Sequence, residues 1–418
     1  MNTMRLLRLA WRNLWRNRRR TIITMITITF GFALAIFAIG FGDGAHNQMI
    51  RSAISMGDGH LTIQPRGYLE SPANGKVLAD GGRLARDIGS ATPGAGISPR
   101  ITLQVLVSTA ANSVGSAMQG LDVAADPHAE DFQEKVVRGE WLKANDDRGV
   151  AIGHRMAEKL KAKIGSKLVV MAGTDAGQVE SRLARVRAIF KTGLMELDSF
   201  VVVGSLEFAR HLLHPETYAR GQEPATLLAV YLEREDDQDR VKNRIKSLEL
   251  PANAVVLDWQ EVMPQVVNFV IADDIGNYIW LVFILIMVAF GILNTILMSA
   301  LERTREFGLL RALGLGGGHL LALVLIETVL LALISVAAGW LVGGSLHLYY
   351  AANGLDLSAM YPEGLETSGM FMEPIVYSEL SWGRVLALSA IVFGTTFLSG
   401  IYPAIKASRV PPVAALQT

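Results

Sequence analysis

Four stretches of this chain are apolar for longer than the core of a soluble domain requires. Residues 21–42, 275–301 and 385–404 contain no Asp, Glu, Lys or Arg, and 320–348 contains one, Glu327. At a rise of about 1.5 Å per residue each is long enough, or nearly so, for a hydrocarbon core of roughly 30 Å. Inside lipid only a helix or a closed barrel satisfies its own backbone polar groups, and runs of this length predict four transmembrane α-helices. A secretory signal would have an apolar region of about 7–15 residues and then a cleavage site. The first run is longer and continues into Asp43, Gly44 and His46, so it reads as a retained span.

The flanking charges set an expected orientation. Residues 1–20 hold Arg5, Arg8, Arg12, Arg16, Arg18, Arg19 and Arg20 and no acid, which predicts a cytoplasmic N-terminus. Residues 43–274 carry 26 basic against 31 acidic side chains and lack a retaining cationic excess, so they are expected outside. The even number of spans brings Lys406 and Arg409 back inside. In 1–20, Leu7, Trp11, Leu14 and Trp15 fall on one side of a helical projection, and Arg5, Arg8, Arg12 and Arg16 on another. Two readings fit: an amphipathic helix on the membrane surface, with Trp11 and Trp15 at headgroup depth and Arg12 and Arg16 toward anionic lipid, or a plain topogenic charge cluster.

The expected organisation is therefore a cytoplasmic amphipathic helix (1–20), span one (21–42), an exported α/β domain with stalk extensions (43–274) and span two (275–301). A cytoplasmic loop (302–319), span three (320–348), an outer loop (349–384), span four (385–404) and a cytoplasmic tail (405–418) follow. In the exported domain, alternating patterns predict strands at 59–65, 100–107, 167–171, 185–190, 199–203 and 227–232, and helices at 129–141, 154–163 and 236–248. Residues 71–99, rich in Gly, Ala and Pro, read as a loop with one short helix. Residues 45–56 and 259–271 allow the spans to continue outward as stalks, with Pro264 kinking or starting the second.

Hydrophobic residues make up 50% of the 418 and charged residues 19%, with 39 basic against 39 acidic groups, which excludes a disordered chain and a pure nucleic-acid binder. Cysteine is absent, which removes disulfides, thiolate catalysis and Cys-ligated metal centres. No G-x-x-x-x-G-K-[ST] loop occurs, and Gly314, Gly316, Gly317 and Gly318 miss the dinucleotide spacing and read as a hinge. No G-x-S-x-G elbow surrounds a serine. Glu207, His211 and His214 share a helical face, which reads as solvated surface with no metal. Glu327 is expensive in lipid: it is a functional candidate, or a packing device bonded to Asn294, Thr295 or Ser299 of a neighbouring span.

The most specific stretch is Glu302-Arg-Thr-Arg-Glu-Phe-Gly-Leu-Leu-Arg-Ala-Leu-Gly314, directly after span two. It resembles the cytoplasmic loop of ABC permeases of the MacB, LolC/LolE and FtsX type, apart from Phe307, where the family commonly has Ile. The likeness extends to Arg12, Asn13 and 18–21, to Gly120-Leu121-Asp122, Gly139, Ile152-Gly153, Gly193 and Asp198, and to Tyr402-Pro403-Ala404 with Pro412 and Ala415-Leu416. Read from the residues alone, Glu302 with Arg305 and Arg303 with Glu306 are i,i+3 pairs that support a short helix. Leu309, Leu310 and Leu313 give it an apolar surface, for a partner or as a plain connector. The resemblance implies that 302–314 is a coupling helix on a separate ATPase subunit, with Gly308, Arg311 and Gly314 among its residues. That subunit would bind ATP and Mg, and this chain would hold no cofactor. It further implies a multi-pass protein of the bacterial inner membrane, paired with a second permease copy or paralogue, amid membrane lipids and with a periplasmic acceptor or adaptor. The expected function is that of a non-enzymatic transporter subunit for lipoprotein release, with macrolide-type efflux and control of a periplasmic enzyme as alternatives.

Overall fold

A computed structural model of the chain describes residues 3–144, 146–173, 178–213, 222–312, 314–360, 365–367, 370–372 and 374–409. His214, Leu313, Pro412, Ala415 and Leu416 lie outside the described residues. The chain divides into two compact units, one of Met1–Asn47, Val270–Met360 and Ile375–Thr418, the other of Gln48–Phe269 and Tyr361–Pro374.

The first unit is helical. Four of its described helices are long and apolar enough to cross a membrane, within Arg18–Ser55, Pro264–Met298, Gly317–Asn353 and Trp382–Ser408. The first two belong to helices of 39 residues each, Arg18–Met56 and Pro264–Glu302, roughly 58 Å long at 1.5 Å per residue and so well beyond the thickness of the hydrocarbon core. Pro264 is the first helical residue of the second, where its missing N–H costs nothing. The short helix Trp259–Val262 before it opens with an Asp258/Glu261 capping box. Around the first span, Ile28, Phe32 and Ile36 pack with Val288 and Ile292 of the second, Leu331 of the third, and Val385, Leu388 and Val392 of the fourth. Small residues permit that approach: a Cβ on Gly339 would stand 2.5 Å from the Phe32 ring, and one on Gly44 only 1.8 Å from the Tyr377 carbonyl oxygen.

The second unit is built on β1 (Leu61–Pro65), β2 (Ala95–Ser108), β3 (Ser113–Leu121), β4 (Val136–Gly139), β5 (Gly149–Gly153), β6 (Lys167–Gly173), β7 (Val179–Phe190), β8 (Val201–Ser205), β9 (Leu227–Leu232) and β10 (Ala254–Asp258). The order β10-β1-β9-β2 is antiparallel, with helix Gly81–Ala91 between β1 and β2 and helix Gln238–Lys246 between β9 and β10. That is the split β-α-β plan of a ferredoxin-like lobe. Its core is Leu61, Ile63, Ile88, Leu228, Val230, Ile245 and Val256. β2 then runs on into a ring, β2-β3-β8-β5-β7-β6, which β6 closes by pairing with both β2 and β7. Alternate residues Ile101, Leu103, Val105 and Val107 point into it and meet Met118, Ile152, Val170, Val186 and Phe208.

Several sequence expectations change here. The helix expected over 129–141 is Pro127–Glu134 followed by β4, because Val136 and Val137 favour a strand and Gly139 takes φ 87°. Residues 71–99 hold the one short helix expected there, Gly81–Ala91, but 95–99 already belong to β2. β3, β5 and β10 have no counterpart among the expected strands: in Ser113–Leu121 two glycines and two serines interrupt the apolar alternation, and its pairing to β2 and β8 fixes the strand.

Candidate transmission site

The loop after the second span folds as helix Thr304–Ala312. Phe307 and Gly308 are buried, and Phe307 packs with Leu6 and Ala10 of helix Thr3–Leu14, Leu320, Leu323 and Val324 of the third span, and Ala404 and Ala407 of the fourth. Arg303, buried beside it, lays its guanidinium 4.9 Å from the Phe307 ring centroid and donates from Nη1 to Glu327 at 2.9 Å. Asn13 Nδ2 donates to the other Glu327 oxygen at 2.8 Å. One intramembrane carboxylate thus joins the loop, the third span and the N-terminal helix. Around this centre lie exposed pairs, Arg20 bidentate on Glu302 at 2.5 and 2.6 Å and Arg16 on Glu306 at 2.5 Å. A cavity of about 70 Å³ lies against Asn13, Arg20, Arg303 and Glu327.

This geometry corrects two expected pairings. Glu327 bonds Asn13 and Arg303, while Asn294 stands exposed on the second span. Glu302 bonds Arg20 rather than Arg305, which is exposed, because the bidentate fork of Arg20 reaches it from the start of the first span. Arg303 and Glu306 lie 3.5 Å apart. Leu309 is 53% exposed, Leu310 leans on the Phe307 cluster, and Arg311 donates to the Ser408 carbonyl at 3.5 Å. Gly314 takes φ 91°, the left-handed turn that reverses the chain into the third span.

Helix Thr3–Leu14 presents three faces. Leu6, Ala10 and Leu14 are buried against the protein, Leu7 and Trp11 are exposed, and Arg5, Arg8 and Arg12 face away. Leu14 therefore parts from the Leu7/Trp11 side on which the projection placed it, because its neighbours at i−4 and i−8 dock on the third and fourth spans. Trp15 is half-buried, its ring edge-on to Trp11 at 6.0 Å, and Arg16 is held by Glu306.

In the second unit the Arg18–Met56 helix ends in a buried polar clamp that the sequence reading missed. Arg100 of β2 is bidentate on Asp126 at 2.8 and 2.7 Å and donates to the Gly57 carbonyl at 2.6 Å. Asp126 also accepts from Ser98 and caps helix Pro127–Glu134 through the His128 amide. His128 Nδ1 lies 3.1 Å from the Ser55 carbonyl and Nε2 3.0 Å from the Gln119 amide. Only Asp126-Pro127, a cap signature, was readable in advance. The exported residues of the resemblance serve close packing: a Cβ on Gly153 would lie 2.3 Å from the Asp198 carbonyl, and Asp198 accepts from the Thr192 and Gly193 amides.

The clamp predicts acid sensitivity. Burial, reinforced by the Arg100 charge, pushes the His128 imidazole down to about 3. Burial alone would raise the Asp126 carboxyl, but Arg100 outweighs it and holds it below the ordinary range. Between about pH 6.5 and 3 the unfolded state therefore binds a proton that the folded state refuses, and stability falls as pH drops through that window. Asp126 adds to the loss at the acid end, as pH falls below the ordinary carboxylate value of about 3.9. Protection in this unit, taken as the observed exchange rate relative to the intrinsic rate at each pH, should fall from pH 7 to 5 in the full chain, and His128→Asn should flatten that slope; a slope identical in the variant would refute the assignment.

Among the described residues no group of three His, Asp or Glu is placed to hold a metal ion. The family model described as MacB-like periplasmic core domain matches residues 21–248, and that of the FtsX-like permease C-terminal matches 278–412. The chain is 23% identical to the lipoprotein-releasing system transmembrane protein LolC of Neisseria meningitidis, over 96% of this chain and 95% of that one. It is 25% identical to the macrolide export ATP-binding/permease protein MacB 1/2 of Paracoccus denitrificans, over 98% of this chain but 58% of the relative. The solved periplasmic region of MacB from Actinobacillus actinomycetemcomitans covers 50% of this chain at 12% identity and a TM-score of 0.34, with 92% of that chain covered. With family models matching both the inserted domain and the C-terminal spans, the chain belongs to the ABC transporter permeases that carry a MacB-like periplasmic core between their first two transmembrane helices and an FtsX-like C-terminal membrane region.

Proposed function

We propose that this permease is a mechanical transmitter of the inner membrane: a separate ATPase docks on the cytoplasmic face of helix Thr304–Ala312, and its closure on ATP moves the periplasmic domain. The observation that carries this reading is the Arg303–Glu327–Asn13 junction, which ties the exposed loop to the third span and the N-terminal helix within one unit. A push on Leu309 and its neighbours is then shared by the helix bundle. The uninterrupted Arg18–Met56 helix carries it outward to the Arg100 clamp. Lipoprotein release is the favoured task, supported by the near end-to-end match to LolC. Efflux is the alternative, supported by the MacB-like core model and the match to MacB, of whose length this chain spans 58%.

Gly308→Pro removes a helix N–H and places a ring where Gly308 is buried. The variant should insert and pair with its ATPase yet lose nearly all coupled activity. Exchanging the charges of the exposed pair, Arg20→Glu with Glu302→Arg, should restore what either single change removes. Depletion of the chain should leave lipoproteins in the inner membrane; normal lipoprotein sorting with a defect in drug export would transfer the assignment to efflux.

A further inference from the structure

Around Asp43 and Asp274 in the helical unit, the first, second and fourth helices enclose a cavity of about 250 Å³, a little below the usual range for ligand pockets. Its depth is apolar, with Ile39, Leu281, Leu388 and Ile391, and its mouth is charged. Arg384 donates to Asp43 at 2.5 Å and to Asp274 at 3.2 Å, while Asp273 takes His46 at 2.7 Å and Asn277 at 3.0 Å. Three carboxylates therefore face one guanidinium and one imidazole, an excess of negative charge where the apolar run of the first span ends at Asp43. The Asp43 side chain is 90% buried, with Arg384 and the Ser381 main chain beside its carboxylate. Asp274, its side chain 25% exposed, is the carboxylate that this mouth leaves open to a further donor. Arg384, its side chain 40% exposed, donates from Nη1 and Nη2 to Asp43 and Asp274 and has further N–H donors for a phosphate.

We infer that this cavity is a binding site for one glycerophospholipid with a primary-ammonium head. The ammonium, with three N–H donors, meets Asp43 and Asp274; the phosphate meets Arg384; an acyl chain lies along Ile39, Leu281, Leu388 and Ile391. The excess of carboxylate disfavours an anionic head, and a trimethylammonium head has no N–H for either carboxylate. The inference stands apart from the transport reading, since lipid retention is measured without ATP or a partner chain.

The test is native mass spectrometry of the full chain released from detergent, with equal amounts of dioleoyl phosphatidylethanolamine, phosphatidylcholine and phosphatidylglycerol. One phosphatidylethanolamine per chain should survive activation that strips the other two, with at least tenfold preference. Asp43→Asn, which keeps the volume and removes the charge, and Ala387→Trp, which fills the cavity, should each reduce that retention tenfold. Equal retention of the three lipids by the unaltered chain overturns the proposal whatever the variants do. So does a phosphatidylethanolamine preference that survives both substitutions.

Discussion

Replacing Arg303 with Ala is expected to lower the stability of the helical unit by about 3–5 kcal/mol, the usual cost of removing one partner from a buried ion pair. Arg303 and Glu327 have side chains only 8% and 15% exposed, and the carboxylate would keep Asn13 as its hydrogen-bond donor but lose the cation bonded to it. The loss of the guanidinium also removes its stacking on Phe307, which centres the packing of the loop helix. A double change, Arg303→Met with Glu327→Leu, removes both charges and should recover most of that stability, because an apolar pair of similar volume often replaces a buried salt bridge at little cost. Coupled activity should stay low in both variants, since the loop then lacks its directional tie to the third span. Unfolding of the purified chain in detergent, measured beside ATP-driven activity of the complex, separates these effects. An Arg303→Ala variant with unchanged stability would contradict the buried pair; a fully active double variant would contradict its role in transmission.

Arg100→Ala should be as damaging on the far side. Asp126 is fully buried, and Arg100 also satisfies the carbonyl at the end of the Arg18–Met56 helix. Removing it leaves the Asp126 carboxylate with only the neutral donors of Ser98 and His128 and no cation, and the Gly57 carbonyl without its Arg100 donor, again about 3–5 kcal/mol. Lysine keeps the charge but lacks the planar fork, so Arg100→Lys should recover less than half of the loss. The expected readout is faster hydrogen exchange through β2, β9 and helix Pro127–Glu134 in the full chain, with the ring strands β5 and β8 less affected. Exchange unchanged in β2 would show that the clamp does not hold the lobe.

What the sequence disclosed follows from how local each signal is. The spans were legible because apolar length alone determines them, and the loop 302–314 because its charge pattern is contiguous. The inserted domain was legible where side chains alternate, as at 100–107, and illegible where pairing decides, as at β3, whose glycines and serines carry no strand signal. The pairings Arg20–Glu302 and Arg303–Glu327 were missed for a different reason: they join residues 282 and 24 positions apart, and helix periodicity reports only i,i+3 and i,i+4 neighbours. Arg100 and His128 were invisible for the same reason, since nothing within β2 or helix Pro127–Glu134 marks them as the seat of another helix's end.

The central claim is that nucleotide state on one side of the membrane is felt by the periplasmic domain on the other. Hydrogen exchange at β2 and residues 122–134 in the reconstituted permease–ATPase complex, compared between the nucleotide-free and vanadate-trapped states, tests it most directly. Protection around Arg100 and Asp126 should change on trapping in the unaltered protein and stay constant in Gly308→Pro. A periplasmic domain whose exchange is the same in both nucleotide states, in a complex that hydrolyses ATP, would contradict the account.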